Sequence, residues 1–369
     1  MATPDLPEVT ESVWTASTFD GKDSWSRVFT DTEIEVLEKA AQSLCLGDKD
    51  DTNISLAAVD AAVLALPRSF IEGLHALRDN TLLKGQGFFV LRGLPTAAWG
   101  DRKSAAAFLL LSKVLGNLRQ QNGAGHVLGH VTDLGLSSSD PSVRVYQTHE
   151  RQTFHTDSCD VVALLCLRPA KQGGDSFLVS AGAIYNALRA RSPHLLRALL
   201  KPLATDRRGE IPARQLPFFN IPVFPYHCGH LNVIYQRQYI DSAQRFEQAG
   251  RLDPTTLAAL DAFDALCNSE EFQVKMRLEP GDVQLVHNHA LLHDRSAFVD
   301  FEDPALKRHL LRAWIAPCPP APVRPLPEVY AQRFGSVTPG ERGGVHLEGV
   351  APIARWVPPP SMAPIVALL

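Results

Sequence analysis

VVALLCLRPAKQGGDSFLVS, residues 161–180, reads as an apolar run, a break carried by Pro169, Gly173 and Gly174, and a second apolar run. Runs this short, bounded by Gly and Pro and rich in β-branched residues, are the signature of buried strands. The same texture extends on both sides. VRVYQTH (143–149), HLNVIY (230–235), FQVKMRL (272–278), DVQLVHN (282–288) and LLRAWIA (310–316) all read as strands. Many short strands with turn residues between them predict a two-sheet sandwich or jelly roll. Helical stretches interrupt the pattern at Ala181–Leu200 and Pro254–Asn268.

Upstream of this core the chain is richer in helices. Thr30-Asp31-Thr32-Glu33 supplies helix-start chemistry for a helix to about Leu44, and further helices are expected at Phe70–Asn80 and Ala105–Leu115. Between them GFFVLRGL (87–94) reads as a buried strand, and the first thirty residues read as an irregular lead-in. Beyond Pro317 the chain is rich in Pro and Gly, and most of it should wrap the surface or be mobile. The expected organisation is one domain over 1–369: a helix-rich part (1–140), a core (141–316) with an insertion (201–280), and a tail (317–369).

Composition narrows the function. Lys and Arg total 36 against 40 Asp and Glu, a net charge of −4, so no global positive field exists to hold nucleic acid or an anionic membrane. The strongest candidate for a span, Ala105–Leu111, is far too short to cross a bilayer, and no signal-peptide pattern opens the chain. Six scattered cysteines without a CxxC pair argue against a disulfide framework. A soluble cytoplasmic protein acting on a small molecule is expected, with its oligomeric state open. Neither a phosphate-binding glycine loop nor a GxSxG elbow is present.

The chemistry concentrates in Phe154-His155-Thr156-Asp157. Residues i and i+2 of a strand share a face, so His155 and Asp157 can grip one ion together. A third ligand must come from far along the chain, and PGDVQLVHNHALLHDRSAF (280–298) offers His287, His289 and His293. Two imidazoles and one carboxylate on one face of a metal leave positions open for a cosubstrate and dioxygen, as in non-haem Fe(II) oxygenases.

In FHTD, the following VVALLCLRPAKQGGDSFLVS, PGD ahead of HNHALLHDRSAF, and KRHLLRAW, the sequence resembles the taurine dioxygenase-like family of Fe(II)- and 2-oxoglutarate-dependent oxygenases, which includes clavaminate synthase-like members. The resemblance implies a mainly β fold with helical additions, a double-stranded β-helix of the cupin-like jelly-roll type. It implies iron ligands His155, Asp157 and His293, with His293 chosen because it opens HDRSAF. It matches Arg308 to the anchor of the far carboxylate of 2-oxoglutarate, assisted by Ser176, and Arg312 to a position near the metal that meets a substrate anion or the near carboxylate. Arg suits both tasks because its planar fork pairs with carboxylates and keeps its charge. The implied reaction consumes O2 and 2-oxoglutarate, releases succinate and CO2, and oxidises a substrate C–H bond by hydroxylation, desaturation or ring closure.

By the same resemblance, residues flanking HxD line the substrate pocket, which points to Arg151 and Ser158, and GNLRQQNGAGHVLGH (116–130) adds Gln121, Asn122 and His126. Arg151 with Arg312 suggests an anionic or amino-acid-like substrate. The long Pro-rich, aromatic segment 206–230 is expected either to cover the iron as a lid or to pack on the barrel as an ordinary insertion. A non-catalytic cupin-like binding protein and a metal-dependent hydrolase or isomerase are the rival readings.

Overall fold

The computed structural model describes residues 6–19, 21, 24–46, 52–138 and 143–358. Its centre is a seven-stranded sheet facing a four-stranded one. Along the chain the strands used below are β1 (Ser26–Val28), β2 (Phe88–Arg92), β3 (Asn117–Arg119), β4 (Leu128–Val131), β5 (Gln152–His155), β6 (Val161–Arg168) and β7 (Ser176–Ser180). They continue with β8 (Pro202–Asp206), β9 (Phe218–Pro222), β10 (Val274–Met276), β11 (Val283–His287), β12 (Leu291–Arg295) and β13 (His309–Ala316). The larger sheet runs β1-β2-β11-β6-β13-β3 with β4 also on β13, and the smaller runs β10-β7-β12-β5. This is the expected jelly roll, mainly β with helical additions.

Alternation along the strands sorts the side chains into three layers. Phe88, Val162, Leu310 and Trp314 of the large sheet meet Leu178, Met276 and Leu291 of the small one in the interior. The intervening residues Val161, Leu165, Leu311 and Ala313 pack instead against helices α1 (Asp31–Cys45) and α2 (Thr96–Leu115). On the far side, Phe154, Val179 and Leu292 of the small sheet pack on α3 (Ala181–Arg191) and α4 (Pro254–Cys267). The start of α1 carries the expected capping box between Thr30 and Glu33.

Several expectations need correction. VRVYQTH is a short 3-10 turn over Val145–Gln147 rather than a strand, and HLNVIY pairs only at His230–Leu231. The 181–200 helix breaks at Ser192, because Pro193 has no N–H to continue the ladder. Helices at Leu56–Leu64 and Arg237–Ala243 carried no clear sequence signal. The lead-in is more than surface: β1 pairs in parallel with β2, and Trp14 and Trp25 are buried. The segment after Pro317 is not a loose wrapping either. It contains a short helix, α5 (Ala331–Phe334), and buries Tyr330, Phe334 and Arg342 completely. Among the described residues no helix is long and apolar enough to cross a membrane.

Candidate active site

Strand register builds the site. In the antiparallel pair β5–β12, His293 stands directly opposite His155, with ring centroids 4.1 Å apart. Alternation along β12 sends Leu291, His293 and Arg295 inward and Leu292 and Asp294 outward. Asp157 lies two residues beyond the end of β5, so the loop and not the strand aims its carboxylate. Asn288 fixes that loop: its Oδ1 accepts from the Asp157 backbone N–H at 2.9 Å, and its Nδ2 donates to the Cys159 carbonyl at 2.9 Å. One ligand atom each from His155, Asp157 and His293 lies within 4.8 Å of the others.

The protonation states suit a cation. Burial favours neutral imidazoles: it lowers the His155 pKa against the pull of Asp157, and it carries His293 down to about 3 with the help of His155. Burial alone would raise the Asp157 carboxyl, but the Arg312 guanidinium and the two imidazoles outweigh it and hold the pKa at about 2. Arg312 and the Trp314 indole N–H both donate to Asp157 Oδ2, at 3.0 and 2.8 Å. His155 Nδ1–H donates to the Thr153 carbonyl at 2.9 Å, which leaves Nε2 as the lone-pair nitrogen. His293 keeps a buried Nδ1 without a partner. Two neutral imidazoles and a carboxylate therefore fit Fe(II).

Two cavities open from this point. One, about 480 Å³, runs between the sheets past Ser176, Arg295, Arg308 and Arg312. Arg308 is buried, burial pushes its pKa down to about 10, and its Nη1 has no partner. Gly174, with φ +73°, leaves room for it: a Cβ there would stand 3.0 Å from Arg308 Nε. The other cavity, about 620 Å³ with its mouth, is lined by Gln152, Ser158, Arg144, Arg312, Arg333 and Phe219, among others.

Of the expected substrate residues, Ser158 and Arg312 line the larger cavity; Arg151 and Asn122 do not. Arg151 follows the outward-facing side of the small sheet, donating to Asp294 and to Asn268. Asn122 closes its own turn, accepting from the backbone N–H of Ala124 and His126. Its neighbour Gln121 accepts from Arg312 Nε at 2.7 Å. His287 and His289 lie in the core, with His289 Nε2 on Asp160 at 2.7 Å. Segment 206–230 starts as a hairpin in which β8 pairs with β9, and Phe219 and Ile221 pack against Leu326, Tyr330 and Phe334 of the C-terminal segment.

Sequence reasoning missed Arg333 and Arg144. Arg333, on α5, donates to Ser158 Oγ at 2.7 Å and stands 4.0 Å from Glu210. Arg144 forms an ion pair with the same Glu210. A buried Arg342–Asp160 pair at 2.7 Å and a Gly344 N–H donated to the Ser158 carbonyl at 2.7 Å stitch this segment to the chain just after the HxD motif. No local pattern announces this.

Fold and site together define a jelly-roll oxygenase. A family model described as taurine catabolism dioxygenase TauD, TfdA family matches residues 59–314, and the chain belongs to that family. It is a non-haem Fe(II)- and 2-oxoglutarate-dependent dioxygenase. It is 33% identical over 317 residues to FR-33289 synthase of Streptomyces rubellomurinus (strain ATCC 31215), covering 84% of this chain and 90% of that protein. It is 28% identical over 186 residues to a uridine-5'-phosphate dioxygenase of a Streptomyces species, covering 48% of this chain and 66% of that one. Among solved structures, an asparagine oxygenase in complex with Fe(II), 2S,3S-3-hydroxyasparagine and succinate superposes with a TM-score of 0.61 at 20% identity, over 79% of this chain and 93% of that one. The non-haem iron oxygenase OrfP in complex with Fe and alpha-ketoglutaric acid gives 0.56 at 16% identity, over 79% and 93%.

Proposed function

We propose that His155, Asp157 and His293 hold the ferrous ion, that Arg308 with Ser176 anchors the far carboxylate of 2-oxoglutarate, and that the substrate is a small molecule bearing an anionic group which reaches Arg333 and Arg144. The observation that supports the last point best is the imbalance at the larger cavity: two guanidiniums share one carboxylate, Glu210, while Asp206, a carboxylate of that wall, is taken up by Arg245 and Ser242. Arg312 is a third cation lining the same space, committed in part to Asp157. Ser158 offers a hydroxyl beside Arg333.

When bound, iron supplies the oxidising power by coupling O2 reduction and 2-oxoglutarate decarboxylation to attack on a substrate C–H bond. The chain's own residues position and exclude. Arg312, braced by Gln121, keeps Asp157 ionised, while Asn288 fixes the loop that aims it. Phe219, Ile234 and Tyr235 wall the substrate cavity against water. We place the enzyme in the cytoplasm, a location that six free cysteines favour.

The test supplies Fe(II), ascorbate, O2 and 2-oxoglutarate and measures succinate, first alone and then with small acids each paired with its neutral amide or ester. Slow succinate release alone and stimulation by an acid but not its neutral partner are expected. No succinate under any condition overturns the oxygenase assignment of these residues; equal stimulation by neutral partners overturns the anionic substrate.

A further inference from the structure

In HDRSAF the iron and cosubstrate reading gives a task to His293 alone, and Arg295 is the cation it leaves without one. It is 6% exposed, and alternation along β12 turns it inward beside His293. Its Nη2 donates to the Glu150 carbonyl, but Nε and Nη1 are buried without partners. Arg308, 3% exposed, lines the same cavity and also keeps a buried Nη1 without a partner. The two guanidinium carbons stand 4.9 and 5.1 Å from the centre of one ring, Phe298.

None of the nearby carboxylates forms an ion pair with either guanidinium among the described residues. Asp294 points outward to Arg151, Asp133 pairs with His149, Glu150 accepts from Ser138, and Asp300 accepts from the backbone N–H of Arg308 through Oδ1. A buried guanidinium without an anion is costly, and two in one cavity repel each other. The arrangement is stable in function only if something anionic enters between them.

We propose that Arg295 is a second cosubstrate-positioning residue, donating together with Arg308 and Ser176 to the far carboxylate of 2-oxoglutarate. A carboxylate has about four lone-pair sites, more than one guanidinium and one hydroxyl satisfy. The proposal rests on the cosubstrate site described above, and its test separates the two.

Fe(II)-loaded protein is titrated without oxygen, following the visible charge-transfer band that a 2-oxo acid produces on chelating iron. The two titrants are 2-oxoglutarate and pyruvate, which has the same chelating end and no far carboxylate. Wild type should prefer 2-oxoglutarate. Arg295→Gln should weaken 2-oxoglutarate about 10-fold, the loss of one charge-assisted contact, and leave pyruvate unchanged; Arg295→Lys should fall between. A purely structural role weakens both acids equally and overturns the proposal, as does a variant that keeps the wild-type preference. Should Arg295→Gln fail to fold, the preference of Arg295→Lys decides on the same terms. Wild type that binds both acids equally overturns the cosubstrate site itself, and this proposal with it.

Discussion

The two cavities that meet at the metal site are built differently. Polar groups of the cosubstrate cavity come from the jelly roll and its immediate flanks: Ser176 opens β7, His293 and Arg295 lie on β12, Arg308 directly precedes β13 and Arg312 lies within it. Its deeper cations, Arg295 and Arg308, stand without ion pairs among the described residues. The substrate cavity borrows its walls. Asp206 and Phe219 come from the inserted hairpin, Arg333 from the C-terminal segment and Arg144 from the turn ahead of β5. There the cations are already tied to Glu210 and Ser158. Under the proposed assignment the first cavity holds charge for one small diacid, whereas the second holds charge in a network that a substrate has to join, and the chemistry and the selectivity should then respond to separate substitutions.

The sharpest way to break this separation is at the point the cavities share. Asp157→Ala removes the only carboxylate of the ligand set, and metal affinity should fall at least about 100-fold with turnover lost, because even supporting contacts to a metal ligand cost about 10- to 100-fold. Arg308→Ala should instead keep the iron and raise the 2-oxoglutarate requirement about 30- to 150-fold, the equivalent of about 2–3 kcal/mol for one buried charge-assisted anchor. Iron content by metal analysis and succinate release against 2-oxoglutarate concentration distinguish them. Identical behaviour of the two variants contradicts separate roles.

A smaller effect belongs on the other side of the metal. Arg333→Gln leaves Arg144 beside Glu210 and Arg312 beside Asp157, so the cavity loses one of three cations. The concentration of an acidic substrate needed for half-maximal succinate release should rise about 10-fold, near 1.4 kcal/mol, while the 2-oxoglutarate requirement stays as it was. A matching rise in both requirements would show that the C-terminal segment supports the whole fold rather than one cavity.

The difference between the cavities also explains what the sequence disclosed. His155, His293, Arg308 and Ser176 sit in short motifs inside or beside strands, where alternation fixes the direction of a side chain once the strand is recognised, whereas Asp157 was read as sharing the strand face of His155 and is aimed instead by the loop that Asn288 holds. The pairing of β5 with β12, which sets His293 against His155, is a contact between distant parts of the chain, and no local pattern carries it. Arg151 and Asn122 fail for a related reason. Whether a residue beside HxD faces the cavity or the outer sheet depends on Asp294, and whether an upstream amide is free depends on its own turn. Arg333 was illegible because the docking of its segment depends on Arg342 reaching Asp160, while Pro and Gly content alone reads as loose chain.

The two regions are joined behind Arg308, and acid should loosen that joint. Arg168 Nη2 donates to His309 Nδ1 at 2.9 Å, so His309 presents Nε2–H to His130 Nδ1, also at 2.9 Å. His130 in turn presents Nε2–H to the Arg355 carbonyl of the C-terminal segment at 3.0 Å. This chain needs both rings neutral, and burial lowers their pKa values to about 4 for His130 and about 3 for His309. Both lie below the ordinary value near 6.5 that the unfolded chain has, so the unfolded state takes up protons first. Stability from the pair is complete above about pH 6.5 and drains as pH falls toward 4, each ring contributing a loss of about 1 kcal/mol between pH 7.5 and 5.5. In His130→Gln the amide still accepts from His309 and donates to Arg355, but does not titrate. Urea unfolding at the two pH values should show the variant losing about 1 kcal/mol less than wild type. Equal losses would mean that the acid sensitivity lies in other buried histidines and that the joint is held by packing alone.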